Sequence, residues 1–362
     1  ATLSSSLINL DSPQVTMAGM WRQREGDSGL SQLRIRHVPI FSGLMQQGYH
    51  LWGMQIGRLQ LDSGSLPADA LIGNVPLVPR SFDFTVDTDL DAGYEWHADY
   101  TYLGELEWHI TIGDTAWLSP LDSGPLYSIG VTRQEQSRWS FTFQRENVRD
   151  SMLSYIGQRD PYSGVIWCGV TETGLDFTWD SPISPQWSVT TEINHTKLRA
   201  EHVPSNKATK IRAGLSQSIS LRHSALLHAG PYLEHQEYDR NLSLFTFGQG
   251  GYFSPQNLSG IGLASSYSTA DGHRHFIKAQ FDVGYQKFEE EAAPYFPLAP
   301  DGRMYRPTED THTLIRLTVK SVVKLTPHWL IGGAASYLDA PSARDSSLGL
   351  FLTYTVKPRG GV

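Results

Sequence analysis

The chain has 362 residues, a net charge of −8 and only 18% charged side chains, a balance that argues against a nucleic-acid partner. Its single cysteine, Cys168, excludes an internal disulfide framework. No run approaches the roughly 18 apolar residues of a membrane-spanning helix. Residues 1–10 lack the charged and apolar regions of a signal peptide, so we expect none there.

Alternation of polar and apolar residues, which predicts β-strands, begins near residue 15 and recurs as far as residue 356. Tyr94 and Trp96, for example, share one face of a segment whose other face carries Glu95 and Asp99. Bacterial barrels have even strand numbers, so among the seventeen segments we expect one spurious strand or two that merge. In chain order the predicted strands lie near 15–24, 32–41, 51–61, 92–101, 105–114, 126–136, 139–147, 163–171, 173–181, 187–198, 208–219, 226–236, 258–268, 274–288, 312–325, 329–339 and 347–356.

The connectors between these strands differ in length. Short turns, such as 326–328, contrast with long connectors rich in Gly, Pro, Asp and Tyr near 62–91, 148–162, 237–257 and 289–311. Short turns at one end, long loops at the other and strands of about ten residues are typical of outer-membrane barrels. Aromatic residues near the predicted strand ends suggest a membrane-interface girdle: Trp21, Trp52, Tyr94, Trp108, Trp139, Trp167, Trp179, Trp187 and Trp329.

These features predict an all-β fold, a transmembrane antiparallel β-barrel of about 16 strands with long loops on one side. We expect the barrel over 15–357, after a leader or the end of a periplasmic linker at 1–14 and before a short tail at 358–362. The predicted location is the bacterial outer membrane, with its lipids around the barrel. A soluble β-sandwich or propeller also alternates, but these strands are long and numerous and no blade repeat recurs at a fixed period.

If the apolar faces meet lipid, the polar faces line an aqueous channel, because about 16 strands enclose more space than side chains fill. Both signs of charge occur on the polar faces without a large single-sign run, which favours a neutral, hydrated cargo over a polyanion. The predicted lumen-lining residues are Arg34, Arg36, Glu95, Asp99, Glu105, Glu107, Asp176, Asp180, Arg212, Asp282, Arg316 and Lys320.

No group of residues predicts a catalytic, metal or cofactor site. Asp87, Asp89 and Asp91 have calcium-loop spacing, but the chain lacks the Gly and Glu that such a loop needs. His273 and His275 share a strand face without a third ligand nearby. Nucleotide-binding and hydrolase motifs are absent. We therefore expect a protein that is not an enzyme, although a Ser/His set near one strand end stays an alternative.

Two long connectors carry the most specific sequence marks. The segments "VRDSMLSYIGQRDPYSG" (148–164) and "GGYFSPQ" (250–256) resemble the C-terminal domain of the cellulose synthase operon protein C family, an outer-membrane cellulose export porin. The segments 19–40 and 51–64 also fit the opening hairpin of that domain. The resemblance therefore spans nearly the whole chain.

The resemblance implies a passive pore that exports cellulose, a β-1,4-glucan, from the periplasm to the cell surface and catalyses nothing. It also implies two partners besides the translocating glucan polymer. These are a periplasmic tetratricopeptide domain of the same full-length protein and, through it, the inner-membrane synthase complex. A channel for alginate or poly-N-acetylglucosamine, or a general small-solute porin, stays the alternative.

We hypothesise that the two marked loops fold over or into one mouth of the barrel and shape the path of the glucan. The alternative is that they only brace each other and the barrel wall. The candidate residues in the first loop are Asp150, Ser151, Leu153, Ser154, Tyr155, Gly157, Asp160 and Pro161. Those in the second are Gly248, Gly250, Gly251, Tyr252, Phe253, Ser254, Pro255 and Gln256.

Overall fold

A computed structural model describes residues 12–67, 69–75, 89–115, 124–221, 225–269 and 274–356. No helix among them is long and apolar enough to cross a membrane. The single helix in these ranges is α1 (Met152–Ile156). The strands are β1 (Gln14–Arg24), β2 (Leu33–Gln47), β3 (His50–Asp62), β4 (Asp89–Tyr102), β5 (Leu106–Asp114), β6 (Leu126–Gln134), β7 (Arg138–Asn147), β8 (Gln158–Arg159), β9 (Ile166–Pro182), β10 (Trp187–Glu201), β11 (Val203–Ser220), β12 (Leu226–Tyr238), β13 (Asn257–Ser268), β14 (His275–Glu290), β15 (Thr308–Lys324), β16 (Trp329–Ala340) and β17 (Ala343–Thr355).

The strands pair in chain order into a closed antiparallel barrel. β1 pairs with β2 on one side and with β17 on the other, and this second pairing closes the ring. β8 has only two residues and pairs with the start of β9, while β7 pairs with β9 directly. Sixteen strands therefore form the wall, which confirms the predicted all-β barrel.

One pair of predicted strands merges. The segments 163–171 and 173–181 are parts of the single strand β9, which accounts for the odd number of predicted strands. Near its start, Cys168 and Gly169 have positive φ angles of 75° and 67°, and the register against β10 shifts. Such a bulge disturbs the alternation of faces, so a continuous strand reads as two shorter ones.

The outer face of the barrel is apolar and exposed. Leu263 at 59%, Met54 at 58% and Ile112 at 52% exposure alternate with inward polar residues. Leaving so much apolar surface in water would cost about 25 cal/mol per Å². Lipid removes that cost, and the belt is therefore the membrane-facing surface of the barrel.

The barrel is asymmetric along its axis. Gln14 and Thr355, the first and last residues of the wall, lie at the end that carries the short turns, for example 48–49 and 325–328. Outer-membrane barrels have short periplasmic turns, so this end faces the periplasm. Exposed aromatic residues surround the same end: Tyr49, Trp52, Trp108, Trp179, Trp187, Trp329 and Tyr354.

The structure places two predicted lumen residues on the outer face. The pairing of β2 with β1 and β3 shifts register just after His37, which reverses the faces of the strand across that point. Leu33 and Ile35 consequently point inward and are buried, whereas Arg34 and Arg36 are exposed on the outside. Assigning these arginines to the lumen was wrong because sequence alternation alone does not reveal the bulge.

The belt predicts a face-dependent response to added charge. Leu263→Arg places a cation in the lipid-facing belt of β13 and should lower the free energy of unfolding by about 2–4 kcal/mol. Urea unfolding in lipid vesicles measures it. Gln280→Arg, an inward substitution on the adjacent strand β14, is the matched control and should change stability little. Equal losses for both would contradict the orientation of the faces.

Candidate channel and its mouth

The inner wall carries the remaining predicted lumen residues. Glu105 lies in the turn before β5, at the periplasmic end. The others alternate with outward apolar neighbours along their strands and so face the lumen. These inward residues are Glu95, Asp99, Glu107, Asp176, Asp180, Arg212, Asp282, Arg316 and Lys320.

Several of these charged groups are hydrogen-bonded along the wall itself. Arg212 Nη2 donates to Asp282 Oδ2 at 2.9 Å, and Arg316 Nη1 donates to the same oxygen at 3.0 Å. On the opposite side, Thr111 Oγ1 donates to Asp99 Oδ1 at 2.8 Å. These contacts, between neighbouring strands or, for Arg212 and Asp282, across β12 and β13, keep the side chains against the wall instead of leaving them to attract a mobile ion across the lumen.

Tyr232 of β12 is a wall residue that the sequence analysis missed. The guanidinium of Arg212 lies 3.9 Å from the centre of its ring, and the residue is 3% exposed. A Cβ at Gly262 would lie 2.7 Å from the Tyr232 hydroxyl, and one at Gly284 would lie 3.1 Å away. The two glycines therefore provide the space in which the ring lies flat beneath Arg212. Inward glycines on the adjacent strands were the available signal.

Two adjoining recesses, each of about 410 Å³, run along the inner wall between β7 and β15. Glu192 and Arg212 line both of them. The rest of the lining combines hydroxyl and amide side chains, for example those of Asn194, Ser266 and Gln280, with acids such as Glu172 and Asp176. This stretch of wall thus offers many exchangeable hydrogen-bonding groups to a hydrated cargo.

The connector between β7 and β9 turns into the extracellular end of the barrel. Ser151 begins α1 with a capping box: its Oγ accepts from Ser154 N at 3.0 Å, and Ser154 Oγ accepts from Ser151 N at 2.9 Å. Gly157, with a φ of 75°, ends the helix. All five helical residues are buried, so this short helix is enclosed on every side.

The helix bridges two parts of the wall. Met152, Tyr155 and Ile156 pack against inward leucine and isoleucine side chains of β2 and β3. Leu153 packs in another direction, into a cluster that contains Trp167 of β9. An apolar bridge therefore crosses the mouth of the barrel at this level.

Ion pairs tie the same connector to the opposite wall. Arg149 pairs with Glu95 of β4, and its guanidinium lies 5.0 Å from the centre of the Tyr155 ring. Asp150 Oδ1 lies 3.3 Å from Arg24 Nη1 of β1. Burial raises the pKa of Tyr155 above its usual range, so its phenol stays neutral. The predicted residues Asp150 and Tyr155 are anchors of the loop.

The second marked loop packs directly on the first. Ser151 Oγ donates to Gly251 O at 2.7 Å, and Phe253 N donates to Asp150 Oδ2 at 3.2 Å. Gly251 has a φ of 62°, and a Cβ there would lie 2.9 Å from Ser151 Oγ. A glycine at this position therefore allows both the left-handed backbone and the close approach.

Several of the most specific sequence marks are hidden from the lumen. Tyr252 is 3% exposed, and its hydroxyl accepts from Asn206 Nδ2 at 3.1 Å. Ser254 is fully buried, and its Oγ accepts from Leu242 N at 2.8 Å. Gly248, Gly250 and Pro255 are buried as well, whereas Phe253 and Gln256 are partly exposed. In this arrangement Tyr252 and Ser254 hold the loop in place and present little surface to a cargo.

Asp160 joins a third connector to the first two. Its carboxylate accepts from Asn74 N at 2.9 Å, Asn74 Nδ2 at 2.7 Å and Ser163 N at 2.9 Å. Gly73 then exchanges two backbone hydrogen bonds, of 3.0 and 2.9 Å, with the segment 245–247. The connectors 69–75, 148–165 and 239–256 thus form one packed unit, which we name the mouth layer.

Trp167 belongs to the mouth layer's support and not to the membrane girdle. It is fully buried, and its ring centre lies 5.6 Å from that of Phe247. Its grouping with the interface aromatics was wrong, because the first residues of β9 lie beyond the membrane and pack against the inserted loops. Cys168, next to it, is also buried, and its Sγ contacts Gly250 O at 3.2 Å.

In the part of the chain that the structure describes, no group of three His, Cys, Asp or Glu residues is arranged so that it could hold a metal ion. The calcium-like run begins at Asp87 and the paired histidines begin at His273, and both of these residues lie outside the described ranges.

The closed ring, the lipid-facing belt and the polar, recessed interior define an outer-membrane β-barrel of the pore-forming class. The family described as cellulose synthase operon protein C C-terminus matches residues 31–357. The chain belongs to this family.

Individual relatives agree with this assignment. The chain is 36% identical over 166 residues to cellulose synthase operon protein C of Xanthomonas axonopodis pv. citri, covering 45% of this chain and 11% of the relative. It is 22% identical over 359 residues to the Pseudomonas fluorescens protein of that name, covering 94% of this chain and 27% of the relative. The chain therefore spans only a small part of these relatives' length.

A solved structure titled "Bacterial polysaccharide outer membrane secretin" shares the fold. Its TM-score is 0.57 at 9% sequence identity, and the match covers 96% of this chain and 99% of that one. At such low identity the similarity concerns the architecture of the barrel.

The bonds around Asp160 predict how the mouth layer loosens. Asp160→Ala removes the buried carboxylate that joins 69–75 to 148–165, and each hydrogen bond to such a charged acceptor contributes about 1.5–3 kcal/mol. Amide hydrogen exchange in both segments should quicken at least about tenfold, while the strands stay protected. Glu135→Ala is the control, because Glu135 pairs with Arg133 in the periplasmic turn after β6, away from the mouth layer. Unchanged exchange in 69–75 would contradict the proposed link.

Proposed function

We propose that the chain is a passive outer-membrane pore that exports an exopolysaccharide, with cellulose as the favoured cargo, from the periplasm to the cell surface. The observation that carries this proposal is the inner wall. It is polar, recessed and internally paired, as a hydrated neutral polymer requires. Membership of the cellulose synthase operon protein C family directs the choice toward a β-1,4-glucan. Export by such a wall needs no catalytic residue and no nucleotide.

The charge arrangement favours a neutral polymer over an anionic one. Pores for anions concentrate Arg and Lys along the path. Here Arg212 and Arg316 share Asp282, whose carboxylate offsets one of their two positive charges, and Glu192 adds a second carboxylate to the same recesses. Hydroxyl and amide groups in the recesses can exchange hydrogen bonds with successive sugars. A channel for alginate, poly-N-acetylglucosamine or small solutes is the alternative that the first experiment below tests.

The proposed partners lie on the periplasmic side. Curated relatives extend well beyond the region that this chain matches, so the barrel is linked to other domains in those proteins. We propose a periplasmic tetratricopeptide domain of the same full-length protein as the immediate neighbour, with the inner-membrane synthase complex beyond it. Both ends of the barrel wall face the periplasm, which suits such a connection.

The mouth layer supplies the constriction of the proposed path. Ser151, Ser154, Tyr155 and Asp160 are at most 2% exposed, so they act by holding the layer and not by touching the glucan. The layer crosses the mouth and is fastened to β1 and β4 through ion pairs. A polymer must therefore pass beside the layer or displace it. We propose that the mouth layer both braces the barrel wall and shapes the path of the glucan.

Competition in planar bilayers tests the cargo. Cello-oligosaccharides should block the ionic current at concentrations at least about tenfold lower than alginate fragments of equal length, a difference of roughly 1.4 kcal/mol in binding. The reason is that the compensated wall offers a polyanion no net attraction. Equal or stronger block by alginate fragments would overturn the choice of cellulose. A large steady current that neither sugar blocks would instead indicate a small-solute porin.

Loosening the mouth layer tests its place in the path. Arg149→Ala removes the ion pair with Glu95 and the contact with Tyr155, so displaced states of the layer should become at least about fivefold more populated. Single-channel conductance or open time should rise accordingly. Arg344→Ala removes a cation from the same rim, where it contacts Asp339 and Glu25, and should leave the current unchanged.

The result can be separated from misfolding. Heat-dependent electrophoretic migration verifies that both variants form closed barrels. If Arg149→Ala speeds proteolysis of 148–165 without changing the current, the layer only braces the wall, and its proposed role in the path fails. The cargo assignment would stand independently of that outcome.

A further inference from the structure

An unusual group of cations lies on the outside of the barrel, near its extracellular end. We name Lys197 and Arg199 of β10 and Lys207 of β11 the basic row. The register places Lys197 directly opposite Lys207, and both side chains are exposed on the outer face. Side chains in such positions have Cβ atoms about 4.5–5.5 Å apart, and like charges there are destabilising.

Neighbouring acids do not compensate the basic row. Among the described residues, no carboxylate forms an ion pair with any of its three cations. Glu201 of β10 and Glu237 of the next strand, β12, contact histidines instead, at 3.5 Å from His202 and 3.8 Å from His235. Asp239, whose N donates to Lys207 O at 3.0 Å, is beside the row and forms no ion pair with it. Three other exposed cations at this rim do have partners, as the pairs Arg34–Asp62, Lys287–Glu309 and Arg344–Asp339 show.

The height of the basic row matches a membrane border. Lys197 follows Trp187, a member of the periplasmic aromatic girdle, by ten residues along β10. At about 3.3 Å per residue and a tilt of about 35–45°, this separation spans about 25 Å along the membrane normal. That is the height of the apolar band of an outer-membrane barrel. The row therefore lies at the level of the outer-leaflet headgroups.

Apolar surface lies below the basic row, beyond the hydrogen-bonded pair of His195 and Thr209. Leu175, Ile193 and Ile211 face outward beneath it with 56%, 38% and 41% exposure. Thr173 of β9 is paired with Lys197, so a hydroxyl stands beside the cations. A molecule bound to this part of the outer face would contact the cations and the Thr173 hydroxyl at one end and the apolar side chains at the other.

We propose that the basic row is a binding site for the phosphorylated headgroup of an outer-leaflet lipid. Lys and Arg form short, charge-assisted hydrogen bonds to phosphate oxygens, and cations at a membrane border attract anionic lipid headgroups. The acyl chains of such a lipid lie on the apolar sector below. Free phosphate shares the headgroup chemistry but has no chains for that sector. The site depends on the orientation of the barrel and not on its cargo.

The test compares two triple variants of the purified protein in mild detergent. Lys197→Gln/Arg199→Gln/Lys207→Gln removes the basic row. Arg34→Gln/Lys287→Gln/Arg344→Gln removes equal charge from paired cations at the same rim. Binding of bis-phosphorylated lipid A, dephosphorylated lipid A and inorganic phosphate is measured by native mass spectrometry, after electrophoresis has verified closed barrels.

We expect the first variant to bind bis-phosphorylated lipid A about 100-fold more weakly, since each cation contributes about fivefold. The control triple variant should bind it as the unmodified protein does, and the unmodified protein should bind dephosphorylated lipid A weakly. Equal lipid A binding by the first variant would overturn the proposal. So would equal affinity of the unmodified protein for the dephosphorylated lipid. Inorganic phosphate binding as tightly as lipid A would also overturn it, because the site would then recognise an anion without its lipid.

Discussion

The pairing of β1 with β17 is the contact on which the rest of the structure depends. Within lipid no water is available to satisfy backbone N–H and C=O groups, so a sheet in the membrane must close on itself. The seam runs over the whole length of β1, from Gln14 to Arg24. Once the ring is closed, side-chain direction follows from the alternation along each strand. Apolar residues face lipid, and polar residues surround an interior too wide for them to fill.

The three connectors of the mouth layer are held together in a different way from the strands of the wall. Outside the membrane the backbone has no need to pair within the sheet, and the chain uses buried side-chain acceptors instead. Asp160 accepts from the backbone N–H of Asn74, which is 86 residues away in the sequence. Ser254 accepts from the backbone N–H of Leu242, within the same connector. Apolar contacts of α1 with β2, β3 and β9 then fix this layer across the mouth.

Alternation predicted the class of fold because a two-residue period is a direct consequence of a wall with lipid on one side and water on the other. It assigned Glu95 and Asp282 to the correct face for that reason. It failed for Arg34 and Arg36, because a register shift reverses the faces and leaves no clear mark in the order of residues. It failed for Trp167, because burial there comes from inserted loops and not from the strand's own pattern.

The contacts inside the mouth layer were beyond prediction for a related reason. Gly251 and Tyr252 stood out in the sequence, yet their partners Ser151 and Asn206 lie far away along the chain. Composition indicates that such a loop is ordered, but it does not reveal what the loop contacts. Only the closed ring brings these segments to the same end and shows that Tyr252 points into a packed cluster.

The shared acceptor Asp282 has a consequence for movement along the wall. Arg212 and Arg316 are already satisfied, and Arg212 rests on the flat ring of Tyr232. A long chain sliding past them finds no deep electrostatic trap, only many shallow contacts of similar strength. Conduction requires sites weak enough to be left as easily as they are entered. In the proposed export function, the wall is therefore a low-friction surface, on which a push from one end of a polymer is transmitted to the other.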